Sequence, residues 1–510
     1  MATQSLVDFQ FELDLRELRQ RIWQVIPGLL SWTTLIGLTV LAFWLPFWIA
    51  IFVIVYDVYI LIRAVYMSIH LVYAYNKLKR SSSTPWRKKL EDLPTQEVDW
   101  RNVHHFIVLP TYDEEMEVLR GSIRALAGSD FPLSQMHVVV GFEERSGEDA
   151  RSRAAALHEE FDHVFGTFMT TFHPDGSPGE RRVKSANATW ALRRLEEKTA
   201  PLDIPVRHIL VSNFDSDTVV HGNYFSYLTH VFITHPDRYH VSYQPIPLYN
   251  NNLWDAPAFS RVIATGSTFW QLIESTRPER LVTFSSHSMT LQALHDVGYW
   301  QRDIVSEDSR IFWQCLLRYN DRYRTEPLYT TVSMDAALTP TLPRTLVSQY
   351  RQQRRWAWGI ENFPYLVEGF ISNKSIPWRR KAMYLFRTLE GHYSWATAPI
   401  IVAGLGWLPI LFGGPEFHTT VLSYSLPFIT RTLMTAAMFG LVISASIAFM
   451  LLPQKPERVR PWRYGGMVLQ WALVPVMATV LSAFPALDAE TRLMLGRDLN
   501  FHVMQKTRRV

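Results

Sequence analysis

Three apolar runs in this 510-residue chain each end in acidic residues. HFIVLP (105–110) leads to Thr111, Tyr112, Asp113 and Glu114; MHVVVGF (136–142) leads to Glu143 and Glu144; and RHILVSNF leads to Asp215, Ser216 and Asp217. One such strand end is ordinarily a turn or a helix cap. Three in succession point to a site built from carboxylates, and so to a divalent cation. Hard oxygen ligands suit Mg²⁺ or Mn²⁺, which bind through one or two carboxylates plus substrate phosphates. A metal held by Asp215 and Asp217 would neutralise a departing diphosphate. The D-x-D spacing is weak alone, because a chain with this many aspartates contains about one by chance. Its position directly after an apolar strand gives it weight.

Two further clusters carry chemistry. Ser306, Glu307 and Asp308 follow the aromatic stretch FSSHSMTLQALHDVGYW (284–300) and precede the helical pattern SRIFWQCLLRY. Acids there suit a helix N-terminus, worth about 0.3–1 kcal/mol. Equally, a carboxylate fixed at that point can take a proton from an acceptor hydroxyl. The second cluster is SQYRQQRRWAWGIENF (348–363). On a helix Gln352, Arg355 and Trp356 fall at i, i+3 and i+4 and share a face. Arginine offers a planar fork for phosphate oxygens, and a tryptophan face can stack on a sugar ring. Leu346, Val347, Ile360, Phe363, Leu366 and Val367 would lay this helix along a membrane surface.

The elements that position these residues alternate. Short β-rich runs are separated by helical patterns over 114–126 and 147–161, which predicts a parallel sheet with crossover helices. Ligands of such sheets bind beyond the carboxyl ends of the strands. Around this polar block lie the apolar runs. Residues 22–62 carry one charge, Asp57, with Leu45 and Pro46 near the middle; 391–415, 432–454 and 464–487 carry none. About 20 apolar residues cross a bilayer, so the pattern predicts a hairpin and three further spans. The first run is too long for a secretory signal. Basic clusters at 77–89, 379–381 and 455–463 fall on one side, which the positive-inside rule makes cytoplasmic. A net charge of +4 gives no argument for nucleic acid, and one cysteine excludes an internal disulfide.

Acidic strand ends, D-x-D, an E-D dipeptide and Q-x-x-R-W, in that order and flanked by spans, resemble the membrane-integrated family 2 glycosyltransferases. These are the cellulose, chitin, hyaluronan and poly-N-acetylglucosamine synthases. PTYDEE (110–115) is similar to the family's P-T-Y-N-E start, and KSANATW (184–190) to its lysine-containing segment. The resemblance implies an α/β GT-A-type (Rossmann-like) cytoplasmic domain embedded between transmembrane helices. It divides the chain into an N-terminal cytoplasmic segment (1–28), a transmembrane hairpin (29–75), a basic linker (76–99) and the GT-A domain (100–343). Interface helices (344–381), C-terminal transmembrane helices (388–487) and a basic tail (488–510) follow.

By that resemblance Thr111, Tyr112, Glu114, Glu143 and Lys184 would line the donor pocket, and Asp215 and Asp217 would hold Mg²⁺ or Mn²⁺. Asp308 would be the general base. Gln352 and Arg355 would bind the diphosphate, while Trp356 and Glu307 would meet the acceptor. The donor would be a UDP-sugar, the acceptor a growing polysaccharide, and the setting the cell membrane. A ceramide glucosyltransferase-like enzyme, making a glycolipid in one step, is the alternative. The chain departs from the family in having Glu143 and Glu144 where Asp-Asp-Gly is usual. FHVMQK (501–506) is similar to a gating F-x-V-T-x-K loop, with Lys506 beside the diphosphate. Five spans would leave this tail outside, against its positive charge. Either 464–487 bends back, aided by Pro475 and Pro485, or 417–430 forms part of an additional crossing.

Overall fold

The structure is a computed structural model that describes residues 2–94, 96–457, 459–460 and 462–499, with side chains from residue 17 onward. The described chain forms two compact units. One contains Ile69–Ser348 and Ser446–Val468; the other contains the residues up to Ser68, Gln349–Ala445 and those from Leu469.

The first unit is organised by a sheet of eight strands. They are β1 (His104–Pro110), β2 (Met136–Glu143), β3 (Thr167–His173), β4 (Ile209–Asn213), β5 (Val219–Val220), β6 (Val241–Leu248), β7 (Ser288–Thr290) and β8 (Arg324–Ser333). Their order is β3-β2-β1-β4-β7-β6-β8-β5. β1, β2, β3 and β4 pair in parallel, which brings the ends of β1, β2 and β4 to one edge. The sheet is nevertheless mixed: β7 runs antiparallel to both β4 and β6. The expectation of a parallel sheet therefore holds for β1 to β4 and for the pair β6 and β8, but not for β7 or β5. β2 is buried along its whole length, as a sheet covered on both faces requires.

Helices over Met116–Ala127 and Gly147–Phe161 follow β1 and β2 as the sequence predicts. Helix Lys184–Thr199 packs on β1, β2 and β3. Gly141 makes that approach possible, since a Cβ there would lie 2.4 Å from the Asn187 side-chain oxygen. Asn187 uses the closeness to donate to the Gly141 carbonyl at 2.7 Å.

The second unit is helical. It contains helix Ala2–Trp44 and helix Pro46–Ser82 as far as Ser68; Leu45 alone separates the two, and Pro46 opens the second, where its missing N–H costs nothing. Ala42, Ala50, Val53, Phe417 and Leu426 form a buried cluster there. Across the described residues, four helices are long and apolar enough to cross a membrane: Glu17–Trp44, Pro46–Ser82, Val421–Met450 and Arg463–Met494. A fifth arises if Trp378–Ala403 and Leu405–Phe412, bent by 45°, count as one. Residues 421–430 form the start of the continuous helix Val421–Met450, with Pro427 inside it. Arg463–Met494 is interrupted instead, by 3₁₀ turns at Gln470–Leu473 and a π turn at Thr479–Ala483. The FHVMQK segment (501–506), with Lys506, lies outside the described residues.

Candidate active site

At the end of β1 the Glu114 carboxylate holds its own loop. It accepts from the Thr111 hydroxyl at 2.5 Å and from the Tyr112 backbone N–H at 2.8 Å. The Arg145 guanidinium sits 4.5 Å from the centre of the Tyr112 ring, a cation–π contact. At the end of β2, Glu143 is buried within reach of two basic groups: Arg145 at 3.5 Å and the His173 ring at 3.4 Å. His173 also meets Glu180 at 2.8 Å. Its neighbours therefore already engage the carboxylate expected to meet a nucleoside.

The His173 charge has a consequence for stability. Burial disfavours the imidazolium, but hydrogen bonds to Glu143 and Glu180 outweigh burial and raise its pKa above the ordinary value. A raised folded pKa stabilises the protein fully below the unfolded value, about 6.5, and the gain fades as pH rises through the folded value. His173→Gln should lower stability by about 1–2 kcal/mol at pH 5.5. The difference from wild type should shrink toward pH 9. Thermal unfolding at both pH values measures it, and a pH-independent difference would remove the charge from the account.

The third group is the densest. Lys184 is the first residue of its helix, where the helix dipole disfavours a cation. Carboxylates hold it there: its Nζ is 2.6 Å from Asp215 Oδ1 and 3.5 Å from Asp308 Oδ1. Burial alone would depress the ammonium pKa; Asp215, Asp308 and Glu307 reverse this and raise it. The Asp215 carboxylate also accepts from the Ser285 hydroxyl at 2.5 Å. Ser286 is held at φ +64°, which few residues other than glycine adopt, and its Oγ lies 2.9 Å from Thr218 Oγ1. His287, fully buried, is 3.8 Å from Asp308 and hydrogen-bonds the Phe284 carbonyl through Nδ1 at 3.0 Å. Burial lowers the His287 pKa, so the ring is neutral at physiological pH.

Asp217 has a backbone partner of its own. It is fully buried, and its Oδ2 accepts from the Asp335 backbone N–H at 2.8 Å. Asp308 and Glu307 occupy the first turn of helix Glu307–Arg318, whose N-cap is Ser306. Asp215, Lys184 and Asp308 thus converge, while Thr111, Tyr112, Glu114 and Glu143 line the neighbouring strand ends. Arg145, His173, Ser285 and His287 join these groups without any signal in the sequence pattern, because each reaches the site by tertiary contact alone.

No group of three or more His, Cys, Asp or Glu side chains among the described residues is arranged to hold a metal. A mode using fewer protein ligands still fits. Three carboxylates surround the single Lys184 ammonium, and the net negative charge suits a divalent cation that takes its other ligands from substrate phosphate.

The family model of glycosyl transferase family group 2 matches residues 210–484, more than half of the chain. The chain belongs to this family. The matched region includes Asp215, Asp217, Asp308, Gln352, Arg355 and Trp356. A cellulose synthase catalytic subunit [UDP-forming] from Pseudomonas fluorescens (strain SBW25) is 22% identical over 394 residues, which are 72% of this chain and 45% of the relative. This chain thus spans less than half of that protein's length. Among solved structures, a mannosyltransferase from Pyrobaculum calidifontis in complex with GDP-Man and Mn²⁺ is 15% identical. The match covers 76% of this chain and 99% of the other, with a TM-score of 0.42. S. aureus TarS 1–349 in complex with UDP-GlcNAc is 13% identical, with 78% and 94% covered and a TM-score of 0.36.

This glycosyltransferase carries its Q-x-x-R-W segment on helix Leu342–Ala357, and Gln352, Arg355 and Trp356 belong to the helical unit. Gln352, Arg355 and Trp356 are each half-buried. Gln349 donates to Gln352 at 3.1 Å. Arg354, one residue before the arginine of the motif, donates to Asp488 at 2.7 Å, and Arg492 grips the other oxygen of that carboxylate at 2.7 Å. The surface-lying helix is only partly realised. Leu346 and Val347 are exposed, whereas Ile360, Phe363, Leu366 and Val367 are packed inside.

Proposed function

We propose that this chain is a membrane-bound inverting glycosyltransferase that elongates a β-linked polysaccharide from a UDP-sugar. What supports this reading most is the meeting of Asp215 and Asp308 at Lys184. The D-x-D carboxylate and the acid of the S-E-D turn come from distant parts of the chain, and their convergence brings a candidate base close to a phosphate-binding charge. The apolar helices support attachment to a bilayer, with the basic clusters and the catalytic unit on the cytoplasmic side.

In the reaction Asp308 accepts the proton of the acceptor hydroxyl. The oxygen forms a bond to the anomeric carbon as the bond to the diphosphate breaks, which inverts the configuration. Lys184 keeps Asp215 and Asp308 together despite their like charge. Gln352 and Arg355 receive the diphosphate, Trp356 stacks on the acceptor sugar, and Glu307 meets its hydroxyls. Thr111, Tyr112, Glu114 and Glu143 shape the donor pocket. Asp215 and Asp217 would hold Mg²⁺ or Mn²⁺, which when bound supplies positive charge for the departing diphosphate.

Membranes containing the protein, given a panel of radiolabelled nucleotide sugars, test this directly. A long product made from a UDP-sugar is expected; label extracted only as a short glycolipid would replace the polymer with a single-step reaction. In the same assay Arg355→Lys keeps the charge but loses the fork, and should raise the donor KM about tenfold. Trp356→Ala should shorten the polymer while donor hydrolysis persists. Identical defects in the two variants would reduce the helix to a structural part.

A further inference from the structure

A second polar site lies away from these residues. The helix Ala258–Ser275 carries Arg261 in its first turn, and Arg463 opens the helix Arg463–Leu469. Together they line a cavity of about 320 Å³. Both arginines are fixed by backbone. Arg261 Nη1 donates to the Ala256 carbonyl at 2.7 Å, and Arg463 Nη1 to the Trp254 carbonyl at 2.5 Å. Trp254 ties the two segments together: its indole N–H donates to the Pro453 carbonyl at 3.3 Å, and its ring meets Tyr464 edge-on at 5.4 Å. The ring also packs with Val459 and Met467.

We propose that this cavity binds the phosphate group of an anionic membrane lipid. Three observations support the assignment. Among the described lining residues Asp255 is the one acid, beside two guanidiniums, which leaves them one net positive charge, matched to a phosphodiester. Burial, and then the Arg463 charge, lower the Arg261 pKa, so the two cations are close enough to repel and gain from an anion. The rim is apolar and open: Leu342 is 65% exposed and Trp462 70%. Tryptophan next to arginine at the start of an apolar helix marks headgroup depth, and Arg463 is the first residue of the membrane-length stretch Arg463–Met494. Planar guanidiniums grip phosphate through paired N–H donors, and basic pockets at this depth take lipid headgroups. None of the lining residues belongs to the transfer site, so the assignment stands or falls independently of the proposed reaction.

Native mass spectrometry of the full-length protein in mild detergent, titrated with phosphatidylglycerol or phosphatidylcholine, tests the site without nucleotide sugar. Wild type should retain phosphatidylglycerol in preference to phosphatidylcholine. Arg261→Gln with Arg463→Gln should lower that retention about tenfold or more. Should the double variant fail to fold, Arg463→Gln alone alters an exposed side chain and should still reduce retention. Equal retention by wild type and the folded variants overturns the proposal. Inorganic phosphate is the competing source: if it displaces phosphatidylglycerol at equal concentration, the pocket is a free-phosphate site and the lipid assignment is wrong.

Discussion

Asp308→Asn lowers the rate of sugar transfer by about 10²–10⁴-fold, the usual contribution of a general base, and leaves donor binding nearly unchanged. The substitution preserves size and removes the ability to take a proton. Asp308 stands in the first turn of helix Glu307–Arg318, where losing the charge costs about 0.3–1 kcal/mol of helix stability. Its nearest charged neighbour is Lys184 at 3.5 Å, with the His287 ring at 3.8 Å. Neither neighbour replaces the base: the ammonium has no lone pair to accept with, and the imidazole is fully buried, out of reach of an acceptor hydroxyl arriving from solvent. A helix cap and a general base therefore predict different results. The cap reading allows only the small loss of stability; the base reading requires a large loss of rate. Single-turnover measurements of product, together with equilibrium titration of the donor, separate them. A variant that turns over at the wild-type rate would leave Asp308 as a cap.

The parts of this site that local pattern can specify were legible in the sequence. β1, β2 and β4 are dense in Val, Ile and Leu and end in acids, and the helical stretch over 147–161 coincides with Gly147–Phe161. Each of these depends on periodicity or composition within a few residues. The half of the sheet that holds the antiparallel strands β7 and β5 was not legible. β7 is only three residues, Ser, Met and Thr, too short to show alternation. β6 contains two prolines, Pro245 and Pro247, which argue against an inner strand. Its pairing with β8 shifts register between Gln244 and Ile246, within the stretch the two prolines share. The site divides the same way. Asp215 and Asp308 stand out by their neighbours in sequence, but the lysine that joins them comes from 31 residues before one and 124 before the other. Glu143 could be placed at a strand end, whereas His173 and Arg145, which engage it, could not.

Chelation should abolish transfer, and Asp215→Asn should do so even with excess Mn²⁺. Lys184 meets the carboxylates of Asp215 and Asp308 with a single positive charge, and Glu307 adds its field. A diphosphate entering there would bring further negative charge, which one ammonium cannot offset. The Asp215 carboxylate is partly accessible, 27% exposed at its side chain, so a cation arriving with the donor can reach it. Asp217 is buried and holds the Asp335 N–H, so Asp217→Asn keeps an oxygen for that bond and tests charge alone. Both substitutions should cut turnover by more than about 10²-fold, since the metal's electrostatic share is several kcal/mol. A second readout separates the metal from the ammonium. Mn²⁺ binding, followed by electron paramagnetic resonance in the presence of UDP, should weaken in Asp215→Asn. In Lys184→Met it should strengthen, because the competing ammonium is gone. Lys184→Met should nonetheless transfer sugar slowly, as Asp215 and Asp308 then repel each other across the site. Full turnover in chelator, or Mn²⁺ affinity indifferent to both Asp215 and Lys184, would show that the ammonium, not a metal, faces the diphosphate.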